Sequence, residues 1–236
     1  MTDVTFRDLS GMAEFREAED LQREVWGMGD QPDPADLMMV IQAEGGLVGG
    51  AFVDGRLMGY VFGFPTRTPG IQHSHRLAVR EAARGLRLGL RLKLYQRDWC
   101  LAHGIGQVRW TYDPLRSVNA ALNIHRLGAV SNTYLEDYYG EMAGINSGLA
   151  SDRLLVDWML DTPVVAALAA GKARPAQPAQ AVGLSLPEDL EALTSTDPDS
   201  AADLRNRLRD LLQQAFADGL RIVDYDRAKR QYLLAR

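Results

Sequence analysis

The chain has 236 residues, of which 46% are hydrophobic and 24% charged, with a formal net charge of −5. These values describe a globular protein of one main domain plus an appendage; they exclude a disordered chain, and the negative balance opposes general affinity for nucleic acid or anionic lipid. Cys100 is the single cysteine, which excludes an internal disulfide framework and reads as a buried small hydrophobe in a reducing cytoplasm.

The opening MTDVTFRDLSG has neither a basic nor an apolar leader region, so a first strand is expected there rather than a secretory signal, and no stretch is apolar enough to span a membrane. Phe15, Ala18, Leu21 and Val25 recur at helical spacing, and a second short helix is expected from Pro34 to Ala43. Residues 46–53 and 57–64 read as strands joined by Asp54-Gly55, the pair that suits a two-residue hairpin. A strand over 72–79, a helix over 85–103 and a strand over 107–112 follow, an order that suggests a parallel crossover. Asp113-Pro114 stops that strand, Ser117 can cap a helix running to Leu127, and Gly128 suits the left-handed position after it. Two further strands, 134–139 and 153–160, complete an α/β fold: a central mixed sheet with helices on both faces.

The composition changes at Ala166. Residues 166–183, rich in Ala, Pro, Gln and Gly, read as a linker, which divides the chain into a main domain at 1–165 and a small α/β appendage at 184–236. In the appendage Ser185 with Glu188 matches a capping box and Asp197-Pro198 a helix start. Ala201, Leu204, Leu208, Leu211, Leu212, Ala215 and Phe216 form an apolar stripe ended by Gly219, and strands are expected at 220–225 and 231–234. Some fifty residues rarely hold themselves folded, so this tail is expected to dock on the main domain or on a second copy, and a homodimer is compatible with it.

The stretch HSHRLAVREAARGLRLGLRLK, residues 73–93, carries the main functional signal. A strand, a turn and a helix start bring Arg84, Gly85 and Gly89 together, and the bare N–H groups of a helix start favour an anion. The competing reading makes Arg80, Arg84, Arg87 and Arg91 a solvated basic face. Leu88, Leu92, Tyr95 and Trp99 are core packing on the other side of that helix.

This segment resembles the GNAT superfamily of N-acyltransferases, whose signature is Arg or Gln, two residues, Gly, one residue, then Gly or Ala. Arg84 and Gly89 match, while Arg87 stands where the middle glycine belongs. RWTYDPLRSVNAALNIHRLGA, with YYGEM and SDRLLVDWML after it, is similar to a predicted-acetyltransferase branch of that superfamily, and the resemblance covers roughly residues 4–160. It implies a sheet splayed between two parallel strands, with acetyl-CoA or another acyl-CoA such as succinyl-CoA as co-substrate. The pantetheine arm would lie on main-chain groups of Leu77, Ala78 and Val79, the pyrophosphate on Arg84, Gly85, Leu86, Arg87, Leu88, Gly89 and Leu90. Ser117, Asn119 and Asn123 would meet the arm. The tyrosine that many members use as general acid falls at Ile124, which leaves His125, Tyr112 or Tyr138 as substitutes.

For the base, strand alternation would put His73, His75, Leu77 and Val79 on one face, and an imidazole can accept the ammonium proton. His-Ser-His has no carboxylate or cysteine at a supporting spacing, so no metal is expected. Asp113 could hold an amine and Arg153 a carboxylate; their structural alternatives are a turn residue and an internal pair with Asp152 or Glu136. YLEDYYGEM, 134–142, could wall the acceptor pocket with Tyr138. The expected activity is acyl-CoA-dependent transfer to a small amine such as an amino acid. Its rival is a weakened GNAT scaffold that binds CoA or a partner protein without turnover; a nucleic-acid role for the arginine helix is opposed by the net charge.

Overall fold

The computed structural model describes residues 3–27, 29–140, 149–175, 181–187 and 190–236. Their contacts divide the chain into two compact units, Met1–Arg109 and Trp110–Arg236. The first carries β1 (Thr5–Asp8), α1 (Gly11–Trp26), α2 (Ala35–Ala43), β2 (Leu47–Val53), β3 (Arg56–Pro65), β4 (Ile71–Val79), a 3-10 turn at Glu81–Ala83, α3 (Leu88–Ala102) and the start of β5 (Gln107–Tyr112). The second carries the end of β5, α4 (Ser117–Ala120), a π-helical turn at Ala121–Arg126, β6 (Val130–Leu135), β7 (Arg153–Met159), α5 (Pro163–Ala169), β8 (Val182–Ser185), α6 (Leu190–Thr196), α7 (Pro198–Ala217), β9 (Arg221–Asp226) and β10 (Gln231–Ala235).

The strands of the first unit run in the order β1-β2-β3-β4-β5, and only the β4–β5 pair is parallel. This is the mixed α/β arrangement expected from the sequence. Asp54 and Gly55 both take positive φ, 49° and 78°, as a tight β2–β3 hairpin requires. Because side chains alternate along a strand, adjacent residues of β2 feed opposite layers. Val48 and Phe52 join Phe15, Ala18 and Leu21 of α1 and Met38 of α2, together with Tyr60, Phe62 and Ala78. Leu47 and Ala51 join Leu88 and Leu92 of α3, with Met58 and Val61. Helices therefore cover both faces.

One irregularity positions everything that follows. In the β3–β4 register Phe62 faces Arg76 but Gly63 faces Ser74, so His75 is the extra residue of a β-bulge. The bulge breaks the alternation assumed for His73, His75, Leu77 and Val79. Leu77 and Val79 pack with the α3 layer, whereas the rings of His73 and His75 lie against Phe62 and Phe64 on the α1–α2 side. The four residues do not share a face.

Other expectations shift for equally local reasons. α3 begins at Leu88 rather than Gly85, because Gly85 and Arg87 adopt φ of +92° and +54° and turn the chain first. The expected strand 134–139 ends at Leu135 and gives way to a turn in which Asp137 has φ 41°. The helix after Ser117 is α-helical for one turn and then π-helical, with Leu127 N–H bonding to Leu122 O at 2.9 Å. Ser117 is its first residue and not its cap, which is Arg116.

In the second unit the strands run β7-β6-β9-β10-β8, all antiparallel. Residues 166–169, expected in the linker, belong to α5. Ser185 ends β8 opposite Gln231 instead of capping a helix, and its expected partner Glu188 lies outside the described residues. Asp197 does cap α7: its side chain accepts from Ser200 N at 3.1 Å, with Pro198 in the first turn. The buried face of α7 is Ala201, Arg205, Leu208 and Leu212, so an arginine occupies the middle of the expected stripe while Leu211 is exposed. That face docks on residues 110–153: Arg205 pairs with Asp113 at 2.9 Å, and Arg209 grips Asp152 and Glu136.

Candidate functional site

Parallel pairing of β4 with β5 covers Ile71–Gln107, Gln72–Val108 and His73–Arg109 and stops there. Among the described residues, Ser74–Val79 pair only with β3, which leaves one edge of that stretch with main-chain donors and acceptors for another partner. Leu77 and Val79 are half-buried along it, and the Ala78 side chain is in the core.

The turn beyond β4 continues this supply of bare amides. The 3-10 turn and the residues after it use three: Ala83 N–H bonds to Arg80 O at 3.0 Å, Arg84 N–H to Glu81 O at 2.9 Å and Leu86 N–H to Ala83 O at 3.2 Å. Arg91 is the first α3 residue whose N–H is satisfied, on Arg87 O at 3.2 Å. Among the described residues the amides of Gly85, Arg87, Leu88, Gly89 and Leu90 have no acceptor. The space above them is open: a Cβ added at Gly85 would meet nothing within 4 Å, and one at Gly89 only Leu77 Cδ2 at 3.9 Å. Bare N–H groups in and just before the first turn of a helix suit an anion such as a diphosphate.

Arg87 caps α3 in the left-handed conformation, φ 54° and ψ 33°. Glycine takes that conformation without strain, which is a physical reason for a glycine at this place in the family signature. Arg87→Gly should therefore raise stability by about 1 kcal/mol, read from urea denaturation; a fall would show that the side chain contributes a tertiary contact. The basic face is smaller than expected. Arg80 is buried, donating to Leu57 O at 2.9 Å and pairing with Glu24, while Arg84 pairs with Glu81 at 2.7 Å and Arg91 lies over the Phe6 ring at 4.6 Å.

The two histidines differ. His73 is pushed down to about 4, chiefly by burial and then by His75, Arg109 and Lys93, so it is neutral at physiological pH and a weak base. An unfolded-state value near 6.5 means the unfolded chain binds the extra proton between pH 4 and 6.5. Stability should rise with pH across that window, with a cost of up to about 3 kcal/mol fully present below pH 4. His73→Gln should flatten the slope in urea midpoints measured from pH 4 to 7. His75 is more exposed, and its Nε2 lies 3.2 Å from Asp33 Oδ1.

Candidates in the second unit are mostly engaged. The Tyr112 hydroxyl is buried 3.0 Å from that of Tyr232, which donates to Pro114 O at 2.8 Å; burial raises its pKa, and it is withdrawn as a proton donor. Asp113 accepts from Leu115 N at 2.9 Å as a turn residue and from Arg205, so it is not available to an amine. His125 Nδ1 lies 3.1 Å from Asp224 Oδ1, a carboxylate also paired with Arg174. Arg153 is buried, donating to Asp152 O at 2.8 Å with its guanidinium over the Tyr139 ring. The carboxylates of Asp152 and Glu136 pair with Arg209. Tyr138 is exposed beside Tyr139, and residues 141 and 142 of the expected wall lie outside the described residues. Ile124 is fully buried, Asn123 nearly so, and Ser117 and Asn119 are half-buried on the same helical segment.

Sequence reasoning missed Asp33 and Lys93. Lys93 is buried, with Nζ 2.9 Å from Ser74 Oγ and 3.0 Å from Gln96 Oε1, and burial lowers it to about 7. Gly63 makes room for this cluster, since a Cβ there would lie 2.6 Å from Gln72 Oε1. Nothing in the spacing of α3 distinguishes a buried lysine from a solvated one. Among the described residues no group of three or more His, Cys, Asp or Glu could hold a metal ion, and no helix is long and apolar enough to cross a membrane.

A mixed sheet whose parallel pair parts early, followed by a turn of bare amides opening a helix, defines an acyltransferase-type α/β fold. The model of the acetyltransferase (GNAT) family matches residues 12–129, and the chain belongs to that family. No curated protein matches it. Among solved structures it is similar to the ribosomal-protein-S18-alanine N-acetyltransferase from Escherichia coli, with TM-score 0.56 and 15% identity over 68% of this chain and 96% of that one. It is also similar to the aminoglycoside 6'-N-acetyltransferase from Enterococcus faecium, with TM-score 0.53 and 15% identity over 67% and 98%. An N-acetyltransferase from Staphylococcus aureus gives 0.54 and 12% over 68% and 100%. At these identities the likeness is one of fold.

Proposed function

We propose that this protein transfers an acyl group, acetyl or a larger one such as succinyl, from an acyl-CoA to the amine of a small molecule. Family membership supports acyl transfer to amines in general. The observation that carries the CoA-dependent reading is the row of bare amides at Gly85 and Arg87–Leu90 under open space. In this reading those N–H groups hold the diphosphate, and the unpaired edge of Leu77–Val79 holds the pantetheine arm.

The buried Ile124 supplies no proton to the departing sulfur. None is required in advance, because a thiol ionises near 8.5 and leaves as thiolate far more readily than an alkoxide does. The neutral nucleophile is the more demanding requirement, since a small aliphatic amine is protonated at pH 7 and must lose a proton before attack. Isothermal titration with CoA tests the reading. Binding in the micromolar range, followed by thiol release from acetyl-CoA with a panel of amino acids and polyamines, is the expected result. No binding at tens of micromolar overturns it, and binding with no thiol release across the panel favours a scaffold.

A further inference from the structure

We propose that His75 is the proton acceptor of this acyl transfer and that Asp33 is the residue that positions it. The inference deepens the reading above and rests on it. As the extra residue of the β4 bulge, His75 is turned to the α1–α2 side, where its ring lies 5.6 Å from those of Phe62 and Phe64 and its side chain keeps 36% exposure. Nε2 is 3.2 Å from Asp33 Oδ1. An ionised carboxylate only accepts, so Nε2 carries the hydrogen of this contact, and in the neutral ring Nδ1 is the nitrogen that keeps a lone pair for a proton.

Asp33 is held with unusual care for a loop residue. Its N–H donates to Gln22 Oε1 at 2.8 Å, and Gln22 Nε2 donates back to Asp33 O at 3.3 Å, from a glutamine fully buried in α1. Pro32 and Pro34 flank it and restrict the backbone on both sides. Its other oxygen lies 3.1 Å from Arg76 Nε, and that arginine is fixed by Asp30 at 2.6 Å and by the Trp26 ring 4.7 Å beneath it. Two carboxylates against one guanidinium leave surplus negative charge beside His75, which favours an approaching ammonium.

One proton passes from the substrate ammonium to Nδ1; the amine nitrogen then attacks the thioester carbonyl, forming C–N as C–S breaks. The nitrogen's second proton goes to the departing thiolate, and the imidazolium returns its proton to water. Asp33 keeps its charge throughout and steadies the cationic ring.

Bromoacetyl-CoA gives a test that needs no known acceptor, because an unprotonated imidazole nitrogen beside the acyl carbon displaces bromide and becomes alkylated. Mass spectrometry of the full-length protein should find the label on His75, with excess CoA suppressing it. His75→Gln should abolish labelling while CoA affinity by titration is unchanged. Asp33→Asn should slow labelling about tenfold or more at unchanged CoA affinity, with Asp33→Glu restoring part of the rate. Label on any other residue, no label, or full-speed labelling of Asp33→Asn overturns the inference while CoA binding stands. Failure of the wild type to bind CoA would instead remove the proposed function on which it rests.

Discussion

Gly89→Trp should weaken CoA binding by about a hundredfold or more, equivalent to roughly 2.7 kcal/mol, while leaving the thermal midpoint within a few degrees of wild type. Gly89 opens α3 beside the bare amides, and a Cβ there meets only Leu77 Cδ2 at 3.9 Å. The backbone can therefore take a side chain, and the indole would fill the space that a diphosphate needs. A helix start binds anions only if backbone and anion come within hydrogen-bond distance. Titration of the variant with CoA reads the loss directly. Affinity equal to wild type would mean that the diphosphate lies elsewhere, and the assignment of residues 85–90 would fall with it.

The largest stability effect is expected in the second unit. Asp152 has no solvent exposure, and its carboxylate accepts from Arg209 Nε and Nη2 at 2.9 and 3.0 Å, Tyr134 Oη at 2.7 Å and Asp137 N at 3.0 Å. Burial alone would raise its pKa, yet the bonds from Arg209, Tyr134 and Asp137 together hold it below the ordinary carboxylate value. Arg209→Ala removes the fork and leaves a buried charge uncompensated, at a cost of about 3–5 kcal/mol. That is a large share of a stability that rarely exceeds about 15 kcal/mol. Tyr134→Phe, which removes one neutral donor, should cost only about 1 kcal/mol. The sign with pH follows from the lowered value: this stabilisation is present above the unfolded-state pKa near 3.8 and is lost as pH falls through the folded one. Urea denaturation of the two variants at pH 7 checks the ordering, and a loss below 1 kcal/mol for Arg209→Ala would show that water reaches Asp152.

These two residues bear on what residues 184–236 do. Read alone, that segment looks like an appendage with an amphipathic helix. In the structure its α7 delivers Arg205 and Arg209 to Asp113 and Asp152, so charged residues on the docking face hold it to the strands of its unit. This removes Asp113 from the list of amine contacts, and it explains why an arginine interrupts the apolar stripe.

Periodicity and turn chemistry, which depend on neighbours a few residues apart, were enough to place both helices before the sheet, the Asp54-Gly55 hairpin, the strand-turn-helix at 72–103, the Asp197-Pro198 start and the Gly128 stop. The order of those elements, with Arg84 and Gly89 at a helix start, carried the family resemblance. Interactions across long separations stayed hidden. A bulge depends on how β4 registers against β3, so no alternation count could reveal that His75 and Leu77 part to opposite faces. Asp33 and His75 lie 42 positions apart, and Asp152 and Arg209 57; only the folded chain decides which carboxylate meets which cation. Nothing in the sequence marks Lys93 and Arg205 as buried, because burial is a property of what packs over a residue, and the tertiary structure supplies that cover.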